Sequence, residues 1–102
     1  TGISGKTAQM VSVKLAELSR NHQVICITHL PQIAAMADAH FAISKEVEDG
    51  STISGAVELD EEASVSEIAR LLSGDHVTET SLRNAAELKA ESSSYKLEDI
   101  KK

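Results

Sequence analysis

Two features of this 102-residue chain bear most directly on chemistry: the run Gly2-Ile3-Ser4-Gly5-Lys6-Thr7, and His29. The glycine run invites comparison with a phosphate-binding loop, whose first glycine stands five positions before the glycine of its Gly-Lys pair. Counting back from Gly5 falls ahead of Thr1, and Gly2 is only three positions away, so the loop is two residues too short. Glycines at a tight turn into a helix account for it. His29 directly follows an apolar run and stands two residues before Pro31. In open parallel sheets, ligands bind at the carboxyl ends of the strands. A histidine there is either a satisfied structural residue or a donor to a phosphate oxygen or an attacking water, a role that does not require a strong base. The spacing leaves both open. His22 and His40 read as helix- and strand-edge residues and His76 as a loop residue, none at metal-ligand spacing, so no metal site is expected. No Ser-His-Asp or Cys-His arrangement can be assembled.

The elements that position these residues are legible from periodicity. Ala8, Val11, Leu15 and Leu18 fall three and four apart, predicting a helix from Ser4 to about Arg20 with those residues on its buried face. Residues 23–28, Gln-Val-Ile-Cys-Ile-Thr, are nearly continuous in apolar and β-branched side chains, the pattern of a strand covered on both faces in a parallel sheet. Cys26 lies inside that run and is expected to be buried as a small hydrophobe. Pro31 suits the first position of a short helix bearing Ile33, Ala34, Met36 and Ala37. A hairpin over 40–59 follows: Phe41, Ile43 and Val47 alternate with polar residues, Asp49-Gly50 turns the chain, and Ile53, Val57 and Leu59 alternate on the return. Gly55 is a candidate bulge. Two more helices are predicted. One spans 62–73 on Val65, Ile68, Ala69 and Leu72, with Gly74 as its stop; the other spans 78–91 on Leu82, Ala85, Ala86 and Leu88. Residues 92–102 read as a flexible C-terminal tail.

Composition narrows the classes further. The length allows one domain at most, and with only Phe41 and Tyr95 aromatic, its core must be aliphatic. One cysteine excludes a disulfide scaffold and a cysteine-ligated zinc site. No apolar run approaches the roughly 20 residues of a membrane span. The chain opens without Met or a signal-peptide pattern, as expected of a cytosolic protein or a piece of one. A net charge of −6 argues against a free-standing nucleic-acid binder. That charge is local: residues 46–62 hold seven acids (Glu46, Glu48, Asp49, Glu58, Asp60, Glu61, Glu62) and no base. A solvated hairpin and helix start explain it, with an acidic docking surface as the alternative.

Two strings carry a resemblance. Thr1-Gly2-Ile3-Ser4-Gly5 resembles the D-loop of ABC-type ATPase heads, in the form found in the RecN family of SMC-like bacterial DNA repair proteins. Ile25-Cys26-Ile27-Thr28-His29-Leu30-Pro31-Gln32-Ile33-Ala34-Ala35 is similar to that family's switch segment, the H-loop, here 28–32. The Ile43-Ser44-Lys45 strand and the Ile68-Ala69-Arg70-Leu71-Leu72-Ser73-Gly74 helix also resemble it, extending the likeness to about residue 90. The resemblance implies that residues 1–91 are the C-terminal portion of a P-loop, ABC/SMC-like ATPase head of α/β class. One or two parallel-type strands, an antiparallel hairpin and flanking helices would make up that portion. It implies a parent that hydrolyses ATP with Mg2+ in recombinational repair of DNA double-strand breaks, in the cytoplasm beside the nucleoid. Its partners would be the N-terminal part of the same head, a second head in an ATP-dependent dimer, and DNA, with no membrane. His29 would be the catalytic switch histidine, reaching the γ-phosphate and its water. Thr1, Gly2, Ile3 and Ser4 would lie at the head–head interface.

The Walker motifs and signature of such a head would precede Thr1, so the fragment alone is expected to be inactive and to bind no nucleotide tightly. Lys6 is assigned no role. The alternatives are a segment of another SMC/ABC-type ATPase head, a self-sufficient nucleotide-binding domain using residues 2–7, or a small interaction module with an acidic hairpin. An unpaired strand at 23–28 would also leave the fragment self-associating or marginally stable.

Overall fold

The computed structural model describes residues 5–97. Its elements run α1 (Gly5–Leu18), α2 (Pro31–Met36), β1 (Phe41–Glu48), β2 (Ser51–Glu58), α3 (Glu61–Ser73) and α4 (Glu79–Tyr95). Local chemistry sets most of their ends. The Asp60 carboxylate accepts from the Ala63 N–H at 2.8 Å, capping α3. Gly74, at φ +77°, ends that helix in a conformation that favours glycine. Thr78 and Ser81 form a reciprocal capping box at the start of α4. Asp49 and Gly50 both take positive φ, as a two-residue hairpin turn requires.

The core lies where α2, α3 and α4 meet: Ala34 and Ala35, Ile68 and Ala69, and Ala85, with Val65, Leu71 and Leu88 packed against them. A second cluster joins Ala16 of α1 to Met36 of α2, with Val13 and Tyr95 alongside. Alanines dominate the first of these. The face that α1 buries is not the expected one. Its inward row is Ala8, Ser12 and Ala16, whereas Val11 and Leu18, expected inside, are exposed. α3 likewise turns Leu71 rather than Leu72 toward the core, and Leu82 and Ala86 of α4 face outward. The stripe of α1 is rotated from the expected one, whereas α3 keeps Val65, Ile68 and Ala69 inward and α4 keeps Ala85 and Leu88, because a helix buries the side that fits its neighbour.

The expected strand at 23–28 is not formed; the sheet of the described residues is two-stranded, β1 with β2. A strand is held by hydrogen bonds to a neighbour, and no neighbouring strand lies alongside this run among the described residues. Ile25 and Ile27 are each 84% exposed, and Cys26 is exposed rather than buried. The fold is therefore mixed helix and strand, with the parallel component of the expected α/β class not in evidence among the described residues. α4 continues to Tyr95, with Ser92 buried, so residues 92–95 extend the helix where a tail was expected.

The hairpin forms in the expected span, and its register runs unbroken through Ser44↔Gly55, so Gly55 is not a bulge. Paired residues share a face, and the two-residue turn pairs odd positions of β1 with even positions of β2. Phe41, Ile43 and Val47 therefore lie on one face and Val57 on the other. All four are exposed. The alternation in each strand is as expected, yet the hairpin has no single apolar side.

Candidate functional site

His29 sits at an elbow built from both directions. Before it, the chain runs from the end of α1, whose last turn tightens through bonds from Asn21 and His22 N–H to the Leu18 carbonyl. After it, Leu30 is extended (φ −97°, ψ 124°) and Pro31 opens α2. The Leu30 N–H donates to Thr28 Oγ1 at 2.9 Å, closing a local turn around His29, and the Leu30 carbonyl accepts from the Ala34 N–H at 3.1 Å. Threonine, histidine, leucine and proline in that order thus make a bend followed at once by a helix. The His29 side chain is exposed, and among the described residues no hydrogen bond or ion pair engages it. An imidazole without an internal partner is available to one from outside.

Of the other residues singled out from the sequence, Thr1, Gly2, Ile3 and Ser4 lie outside the described residues. Their neighbour Gly5 begins α1, and a Cβ built on it would meet Gln32 Nε2 at 3.4 Å. Position 5, at the end of the first string, therefore lies close to Gln32 in the second, with room for a side chain in ordinary van der Waals contact. Nearby, Thr7, Met10, Val11, Lys14 and Leu15 line a shallow groove along the outer side of α1. Among the described residues no three His, Cys, Asp or Glu side chains converge on a point where a metal could bind. No described helix is long and apolar enough to cross a membrane.

A second polar cluster escaped the sequence reading. The Ser64 hydroxyl, 2% exposed, lies 2.7 Å from His40 Nδ1 and accepts from Lys89 Nζ at 3.0 Å. Lys89 also faces the Glu61 carboxylate at 3.5 Å. With Lys89 donating to its oxygen, the Ser64 hydroxyl can give its own proton to Nδ1 only when the imidazole is neutral. Burial lowers the His40 pKa, the Lys89 charge lowers it further, and Glu67 opposes both. The Glu67 carboxyl is itself held low, chiefly by its hydrogen bond from Arg70. These groups come from the foot of β1, from α3 and from α4. Periodicity gives no sign of the cluster, since it reports faces within an element and not which residue opposes which. The inward position of Ser64, one helical turn before Ile68, was the only available hint.

Comparison with known proteins adds what geometry lacks. No protein-family model matches the chain. It is 47% identical over 88 residues to the DNA repair protein RecN of Bacillus subtilis and 47% identical over 87 residues to that of Treponema pallidum. It is 42% identical over 87 residues to that of Vibrio cholerae. Each match covers 85–86% of this chain, and the chain spans only about 15–16% of the length of these relatives. The likeness seen in the two strings thus extends through most of the sequence.

Proposed function

We propose that this chain, a relative of RecN-type DNA repair proteins along most of its length, is part of an SMC-like, ABC-type ATPase head serving the repair of DNA breaks. In this reading His29 is its switch histidine, and Thr1, Gly2, Ile3 and Ser4 belong to the head–head interface. The observation that carries the reading is the closeness of Gly5 to Gln32, which sets the two motif strings near one another beside an exposed, unpartnered His29. The sequence match supports the same assignment.

The described residues fit only a share of the chemistry. In this reading Mg2+ and most of the nucleotide would be held by the N-terminal part of the head. When bound, ATP would supply the γ-phosphoryl group that water attacks, with ADP as the leaving group. His29 contributes a ring N–H aimed from a short, braced elbow, and its hydrogen bond gains most where negative charge grows during the displacement. Such a donor raises turnover more than affinity.

The uncovered apolar surfaces support a missing partner. Val24, Ile25 and Ile27 beside the elbow, and Met10, Val11 and Leu18 on α1, are exposed although large and hydrophobic. Exposed large apolar side chains in this number are consistent with an interaction face, here assigned to the remainder of the head. The test is His29→Ala in the full-length protein. ATP hydrolysis should fall about 100-fold, the scale of losing one transition-state donor, while ATP affinity changes by less than about threefold. An equal loss of both would sink the assignment.

A further inference from the structure

We infer that Lys96 is a positioning residue for His29, acting through α2; the inference rests on the role just proposed for His29. The Lys96 ammonium donates to the Met36 carbonyl at 2.9 Å, reaches the Ala37 carbonyl at 3.5 Å, and meets Asp38 Oδ1 at 2.9 Å. Met36 ends α2, and Ala37 is its C-terminal cap. Carbonyls there lack partners within the helix, and the helix dipole favours a cation beside them. α2 supplies no such cation, having no basic residue in its last turn. Lys96 provides it from the far end of the sequence. The Asp38 carboxylate is 78% exposed, so water screens that contact; the carbonyl contacts carry the geometry.

A six-residue helix is too short to persist by its own hydrogen bonds. α2 is therefore held from outside at three places. Ala34 and Ala35 enter the core, Met36 packs on Ala16 beside Tyr95, and Lys96 binds the terminal carbonyls. Its other end is the Thr28–Leu30 turn that carries His29. At 1.5 Å per residue the helix is about 9 Å long, a rigid link between the ammonium and the elbow. Freeing the Met36 end lets α2 tilt on its alanines, and His29 swings with it. The last turn of α4, which delivers Ser92, Tyr95 and Lys96, thus sets the aim of a residue far away in sequence.

The experiment compares Lys96→Met, Lys96→Arg and His29→Ala in the full-length protein, reading kcat and KM for ATP together with amide exchange in residues 34–37. Lys96→Met should speed exchange of those amides at least about tenfold and lower kcat about five- to tenfold, with KM unchanged within about twofold. Lys96→Arg, which keeps a cation at the carbonyls, should restore both. Unchanged exchange in Lys96→Met would overturn the cap. Faster exchange with unchanged kcat, while His29→Ala still depresses kcat, would overturn the positioning role and leave the role of His29 standing. An unchanged kcat in His29→Ala would remove the functional reading itself, and the inference with it.

Discussion

Cys26 and His29 lie three residues apart, one within and one just after a run whose sequence reads as an interior strand, and both are exposed. For His29 exposure suits the proposed role, since a group proposed to bind an external anion must not be satisfied from within. For Cys26 exposure has a different meaning. Its neighbours Ile25 and Ile27 leave apolar surface in water at about 25 cal/mol per Å2, a cost that a covering partner removes. Cys26 should therefore react with a maleimide in the isolated chain at a rate near that of a free thiol. In the full-length protein the reaction should slow at least about tenfold. Equal rates would mean that nothing covers the run. The buried side chains make the opposite prediction. Ile68 is fully enclosed among alanines that cannot move in to fill a gap, so Ile68→Ala should cost about 2–5 kcal/mol in denaturant unfolding.

Between elements, the ties that matter are polar as well as apolar. The Ser64 hydroxyl joins the foot of the hairpin to α3 and α4 through His40 and Lys89. Because burial and Lys89 depress the folded-state pKa of His40, the unfolded chain binds the proton more readily. Stability is then at full value above the ordinary histidine range. It falls as pH drops through about 6.5 and levels off below the lowered folded value. Lys89→Met removes the facing cation and should flatten that pH dependence, measured as the denaturation midpoint between pH 7.5 and 5. A slope unchanged by the substitution would assign the effect to other groups. The helix starts are simpler. Asp60→Ala or Thr78→Ala removes a cap and should cost about 1 kcal/mol each.

For the molecule as a whole, the balance of buried to exposed apolar surface is the telling quantity. The core is a small set of alanines around Ile68, while Met10, Val11, Leu18, Ile25, Ile27, Phe41, Ile43, Val47 and Val57 remain outside. A hairpin with apolar residues on both faces needs cover on both sides, which one packing layer cannot provide. The isolated chain should accordingly be marginally stable or self-associating, seen by sedimentation as a weight-average mass rising with concentration. Adding the N-terminal part of the head should abolish the association and raise the melting temperature. A cooperative monomer at high concentration, indifferent to that addition, would contradict the proposed partner.

Much of this was legible in the amino-acid sequence, and the division has a physical cause. Features set by near neighbours were readable. The Asp49-Gly50 turn, the Gly74 stop, Pro31 at a helix start and the existence of the helices among the described residues depend on backbone preference within a few residues. So was the family likeness, because it rests on an ordered string of side chains and needs no fold to be seen. Tertiary structure alone decided what depends on opposition across space. It chose Ala8, Ser12 and Ala16 over Val11 and Leu18 as the buried row of α1, because close packing rewards fit. It left residues 23–28 unpaired, since a strand exists only with a neighbour. It also brought Lys96 to the end of α2 and Gly5 near Gln32, placements that no local periodicity encodes.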